Sequence, residues 1–348
     1  MLDGEALRHN LKVVRAQSSA QIMAVIKANG YGHGLCWSAR NLPEADGFGV
    51  ASLEEGLALR AAGIDRDICL LEGFFSAEEI PLIIQERLAP VIHEHHQIAA
   101  LQRYAGPGAF DAWIKIDTGM HRLGFAPDEV RAAQAALEAL PVIRRIGLMS
   151  HLASAETRAC PETTHQIATF RTLAETAPRS LANSAGILLW PQSHHEWVRP
   201  GLMLFGASPL PDADGPTLGL RPVMTLKSRL ISIRRRHAGD AIGYGGAYRC
   251  PEDMPVGVVG IGYGDGYPRE FRRPPSVLIS GRRAPVVGRV SMDMVTVDLR
   301  SIPEPDIGDE VILWGEGLPV EEVADAAGTV PYTLLCGLTQ RLPRWPAA

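Results

Sequence analysis

Between residues 22 and 205 one pattern recurs: a short apolar run, a polar break, then a segment of helical period. The apolar runs lie at 22–27, 48–51, 68–71, 89–92, 112–116, 143–150, 180–183 and 197–205. Helices are predicted over 54–62, 77–85, 97–104, 127–140 and 161–177. Asp3 can cap a first helix whose Leu7, Leu11 and Val14 share a face. Strands joined through helices must be parallel neighbours, because a parallel pair needs a crossover. Eight such units predict a closed (β/α)8 TIM-type barrel rather than its rival, an open doubly wound sheet. Polar residues fall repeatedly just after a strand, where barrel sites gather.

The texture changes at the proline- and aspartate-rich stretch 208–216. Strands are then expected at 225–233, 256–262, 277–279, 284–287, 295–299 and 310–314, with a short helix at 320–327. The prediction is an α/β chain with a barrel domain at 1–215 and a mainly β domain at 216–348. A length of 348 residues suits two domains.

A net charge of −5 gives no basic excess for nucleic acid, and Arg234-Arg235-Arg236 reads as a solvated edge. There is no apolar run of the ~20 residues a spanning helix needs, and no signal sequence opens the chain. Five scattered cysteines, never in a C-x-x-C pair, predict a reduced cytoplasmic protein. No metal is expected. His93-Glu94-His95-His96 has the wrong spacing for a paired-histidine site and reads as a solvated cap, as does His194-His195. The glycines of 260–266 lack the βαβ setting of a dinucleotide loop.

Chemistry is concentrated after the strands. Val25-Ile26-Lys27-Ala28-Asn29-Gly30-Tyr31-Gly32-His33-Gly34 delivers one lysine from an apolar run into a glycine-rich loop. Partial desolvation there would favour a neutral amine able to form a Schiff base. Lys115, Asp117 and Arg122 follow another strand, where neighbouring charges could aim Arg122 at a carboxylate. His151, Asn183-Ser184 and Arg199-Pro200-Gly201-Leu202 end three more, the last a turn suited to an anion.

These stretches resemble the bacterial alanine racemases, beginning with the pyridoxal-phosphate attachment signature around Lys27. The resemblance runs in order through Lys115 to Gly124, Gly147 to His151, Asn183-Ser184, Arg199 to Gly206 and Ile242 to Gly245. It continues through Gly262 to Gly266, Gly288 to Asp293 and Arg341 to Arg344, so it spans both domains.

The resemblance implies alanine as substrate, pyridoxal 5'-phosphate as cofactor and a homodimer with shared sites. Lys27 would hold the cofactor and act as base on one face of the substrate, with Tyr244 from the partner subunit on the other. A free phenol titrates near ~10, and ionising one at pH 7 costs roughly 4 kcal/mol. His151 matches the histidine that offsets this by hydrogen bonding. Arg199 would face the pyridine nitrogen, and as a poor proton donor would bias the cofactor toward simple proton exchange. Arg122 and the Met292 backbone would hold the substrate carboxylate, and Lys115 matches a lysine that is carbamylated in relatives. Tyr31, Ser184 and the amides of Gly201 and Leu202 would contact the phosphate, while Tyr263 and Asp293 match residues lining the mouth of the site. Gln340 stands where some relatives carry a phosphate-binding tyrosine, implying a weaker clamp or a replacement donor.

Overall fold

The computed structural model describes residues 1–173 and 177–346. The chain divides into two compact units, one of Arg8–Leu204 with Pro209–Asp212, the other of Met1–Leu7, Phe205–Ser208 and Ala213–Ala348.

The first unit is a closed parallel barrel. Its strands are β1 (Gln21–Val25), β2 (Gly47–Val50), β3 (Asp67–Leu70), β4 (Leu88–Ile92), β5 (Phe110–Lys115), β6 (Ile143–Met149), β7 (Arg179–Ser180) and β8 (Trp197–Val198). Each pairs with the next, and β8 returns to β1 through Gln21 opposite Trp197. Met23, Cys69, Val91, Trp113 and Met149, one from each of five strands, make an apolar cluster against which Trp197 packs. The two indoles meet edge to face at 6.3 Å. Gly147 is required beside them, since a Cβ there would lie 2.5 Å from the Trp113 ring.

Several predicted elements shorten. The last strand contains two residues, and Leu202–Phe205 is a 3-10 turn. The helix expected at 77–85 splits into a 3-10 turn and Ile80–Gln85, which has proline near its start. The helix from Pro161 ends at Arg171, and positions 174–176 of the prediction lie outside the described residues. Short helices at Leu35–Arg40 and Ser184–Leu189 were not foreseen, because six residues offer too little periodicity. Glu94 caps the helix His95–Arg103, as expected of that cluster. His194 and His195 are instead half-buried. His194 Nε2 lies 3.1 Å from the Ile187 carbonyl, and the His195 ring packs on Phe170.

The second unit is a six-stranded antiparallel sheet. It comprises β9 (Leu226–Arg236), β12 (Met254–Val259), β13 (Ser276–Ile279), β14 (Arg282–Pro285), β15 (Val295–Asp298) and β16 (Glu310–Trp314), in the order β14-β13-β16-β9-β12-β15. A small hairpin of β10 (Ala241–Ile242) and β11 (Tyr248–Arg249) pairs separately and packs on β12 through Ile242 and Tyr248. Arg234 to Arg236 end strand β9 beyond its pairing with β16, bonded to β12 on one side only and exposed, as a solvated edge would be. Residues 1–7 join this unit: the Leu2 amide donates to the Trp345 carbonyl and the Asp3 amide to that of Val223. Asp3 Oδ1 accepts from the Ala6 amide at 2.9 Å, capping the helix Gly4–Gln17. Among the described residues no helix is long and apolar enough to cross a membrane.

Candidate active site

Parallel closure brings the ends of all eight barrel strands to one rim, and the candidate residues of the first unit stand there. Lys27 lies two residues beyond β1, Lys115 closes β5, His151 follows β6 by two, Ser184 lies beyond β7, and Arg199 follows β8 directly.

The loop after Lys27 is a single left-handed turn. Ala28, Asn29, Gly30 and Tyr31 have φ of 53°, 55°, 63° and 51°. A left-handed conformation costs an L-residue roughly 1–2 kcal/mol, so three non-glycine residues need local compensation. The turn supplies it. The Gly30 amide donates to the Ile26 carbonyl at 2.8 Å, and the Gly34 amide to that of Asn29 at 2.8 Å. His33 Nδ1 lies 3.0 and 2.9 Å from the carbonyls of Gly30 and Tyr31. Glu55 ties the turn to the end of β2, accepting from the Asn29 amide on one oxygen and the Ala51 amide on the other.

Arg199 is buried, with 4% of its surface exposed. Its guanidinium donates to Ser180 Oγ at 2.6 Å, to the Ser150 carbonyl at 2.5 Å and to the Leu181 carbonyl at 3.3 Å. It meets no carboxylate within ion-pair distance among the described residues. Burial lowers its pKa to about 10, leaving it a cation at neutral pH. Arg199 Nη2 also reaches His151 Nδ1 at 3.4 Å. Since the guanidinium donates, Nδ1 accepts, and the imidazole hydrogen resides on Nε2. Burial, with Lys115, Arg199, Arg122 and Lys27 nearby, pushes the His151 pKa well down, so the ring is neutral.

The same crowding acts on Lys115. Burial first, then Arg199 and Arg122, lower its amine to about 7. Cys69 lies beneath, its thiol pushed up to about 12 by burial. Arg122 is exposed and meets no acid in ion-pair range among the described residues, contrary to the expectation that neighbouring charges hold it. Asp117 turns the other way, accepting from the amides of Gly119, Met120 and His121 at 3.0 Å each. The loop closes where the Asp117 amide donates to the Phe125 carbonyl and the Phe125 amide to that of Lys115, both at 2.9 Å, and Gly124 is required there. A Cβ would stand 2.7 Å from the Asp117 nitrogen, and φ is +123°.

The turn that follows Arg199 packs on Ser184. Ser184 Oγ accepts from the amides of Gly201 at 3.0 Å and Met203 at 3.5 Å, leaving its own hydrogen to donate outward. The Gly201 amide is thus turned onto Ser184, whereas the resemblance implies a phosphate contact. Tyr31 approaches Gly201 so closely that a Cβ there would sit 2.4 Å from the phenolic oxygen.

Tyr244, Tyr263, Met292 and Asp293 belong to the second unit. Tyr244 is 65% exposed on a turn whose Gly243, Gly245 and Gly246 all have positive φ. Tyr263 and Met292 sit on adjoining loops, joined where the Tyr263 amide donates to the Ser291 carbonyl and the Gly264 amide to that of Met292. Asp293 accepts from Arg341 at 2.8 Å.

Known proteins resemble both units. Residues 2–209 match the model of the alanine racemase N-terminal domain, and residues 223–346 that of the C-terminal domain. The chain belongs to the alanine racemase family. An alanine racemase of Nitrosococcus oceani is 51% identical, covering 99% of this chain and 98% of that protein. The biosynthetic alanine racemase of Escherichia coli K12 is 47% identical, covering 98% and 97%. The crystal structure of the biosynthetic alanine racemase from Pseudomonas aeruginosa superposes with a TM-score of 0.96 at 44% identity, covering 100% and 98%.

Sequence reading missed the brace of this alanine racemase family barrel. Buried Gln166 donates to the His151 carbonyl at 3.0 Å and Thr118 Oγ1 at 3.3 Å, and accepts from the Ala153 amide at 2.9 Å. It joins the loops after β5 and β6. Nothing marks one glutamine in a helix as that brace before the helix is packed.

Proposed function

We propose that the chain is a cytoplasmic pyridoxal-phosphate-dependent racemase that interconverts L- and D-alanine as a homodimer. The observation that carries the reading is Arg199, a buried cation at the barrel rim, supported by serine and carbonyl oxygens and, among the described residues, paired to no acid. The residues present fit the cofactor. A buried cation, a rim lysine and a cradle that one added Cβ would fill match a pyridine nitrogen, an aldehyde and a phosphate in turn. Bound there, pyridoxal phosphate supplies an aldehyde that links to the substrate amine and a ring that acidifies the Cα–H bond.

Lys27 would be the attachment point, and its amine, once released, would take or return the proton at Cα on one face. Tyr244 of the partner subunit would do so from the other. One base can only restore the centre it opened, so inversion needs both. The Nε2–H of neutral His151 would donate to that phenolic oxygen, reducing the cost of its ionisation. Tyr31 and Ser184 would donate to the phosphate, with the Leu202 amide beside them. Arg199 would present an N–H to the pyridine nitrogen while keeping its own proton. Arg122 would grip the alanine carboxylate with the Met292 backbone, and Tyr263, Met292 and Asp293 would line the approach. The Lys115 amine can form an N–C bond to carbon dioxide with release of a proton, making a carbamate anion that would orient Arg122.

The test is to incubate purified protein and cofactor with L-alanine and resolve the enantiomers over time. Accumulation of D-alanine is expected. Its absence would overturn the proposal, and release of carbon dioxide from the amino acid would indicate a decarboxylase.

A further inference from the structure

Three chain segments meet at Arg341. Its Nη2 donates to Asp293 Oδ1 at 2.8 Å, and its Nε stands 3.2 Å from Asp265 Oδ1. Asp265 is buried and also accepts from the Gly262 amide at 3.0 Å, within the loop that carries Tyr263. Asp293 belongs to the loop that carries Met292. The guanidinium lies over Gly264, where a Cβ would stand 2.8 Å from Nη1 and 3.1 Å from the Met292 carbonyl oxygen. The segment leading to Arg341 is stitched to the same loop: the Thr339 amide donates to the Asp265 carbonyl and Thr339 Oγ1 to that of Gly264, both at 3.1 Å.

We infer that Arg341 is a positioning residue for substrate: one guanidinium bridges Asp265 and Asp293, and so sets the spacing of the Tyr263 and Met292 loops. The inference rests on the proposal that these loops line the path of alanine. Arginine suits the task because its planar fork offers donors to two carboxylates at once, which a lysine ammonium cannot match in geometry. Without the cation two like charges face each other, one of them out of water, and the loops part.

The holoenzyme variants Arg341→Met and Arg341→Lys would be assayed for KM and kcat with both enantiomers, alongside amide hydrogen exchange over 262–266 and 291–293. Arg341→Met should raise KM about tenfold, the equivalent of ~1.4 kcal/mol, with kcat changed far less. Exchange over the two loops should accelerate. Arg341→Lys should recover part of the loss. Adding Asp293→Asn to Arg341→Met should lower KM again by removing the repulsion. A wild-type protein that racemises alanine while Arg341→Met keeps its KM would overturn the inference, as would KM, kcat and folded fraction failing together without rescue by lysine. If the wild-type protein makes no D-alanine, the proposed function fails. The loop clamp is then judged by exchange alone: acceleration in Arg341→Met supports it, and unchanged exchange overturns it.

Discussion

Gly201→Ala probes the phosphate cradle through a single methyl group. The new Cβ would stand 2.4 Å from Tyr31 Oη and 3.1 Å from Cζ. Real contacts of this kind do not fall below 3.0 Å, so the hydroxyl must retreat by about 0.6 Å. Tyr31 has little room to do so. Its ring is buried, and its backbone is held at φ 51° by the turn after Lys27. The expected loss is one hydrogen bond to a phosphate, worth ~1.5–3 kcal/mol, or roughly 10- to 150-fold in cofactor affinity. The assay titrates cofactor-free protein with pyridoxal phosphate and follows visible absorbance, for Gly201→Ala, Tyr31→Phe and the double variant. The single losses should be similar, and the double should lose little more, because both remove one contact. Wild-type affinity in Gly201→Ala, or full additivity in the double variant, would refute the reasoning.

Tyr244→Phe should abolish racemisation while keeping the visible absorbance of bound cofactor, and Lys27→Ala should remove that absorbance. Mixing the two inactive proteins should restore activity if sites are shared between subunits, and none despite confirmed exchange would argue against sharing. Lys115 holds its proton to lower pH folded than unfolded, its pKa falling from 10.5 to about 7. Between those values the unfolded chain binds more protons, so stability should rise as pH climbs through that window. Melting of the cofactor-free protein in carbonate-free buffer should show this rise, and Lys115→Met should flatten it. Asp3→Ala removes the cap on the Ala6 amide and should cost ~1 kcal/mol in denaturant unfolding.

The barrel was readable because each strand announces itself by an apolar run and each crossover by helical period. Glu310–Trp314 and Val320–Ala327 were even located to the residue. The hairpin β10–β11 escaped notice, since two-residue strands carry no alternation. Pro331–Cys336 escaped for the same reason of length. The candidate side chains were legible through a long ordered set of motifs. Their partners were not: Ser150 and Ser180 beneath Arg199, Gln166 behind His151 and Arg341 between two aspartates are common polar residues until folding gives them neighbours.

Chain chemistry and periodicity alone determined the alternation of strand and helix and the change of texture after residue 208, while the family came from the resemblance of an ordered set of motifs. They act over a few residues, or over motifs whose order survives without coordinates. Only tertiary structure decided that the glycine-rich loop after Lys27 is a left-handed turn, that the Gly201 amide faces Ser184, and that Asp117 binds the amides of its own loop. Those outcomes depend on which groups burial sets side by side, and separation along the sequence carries no record of that.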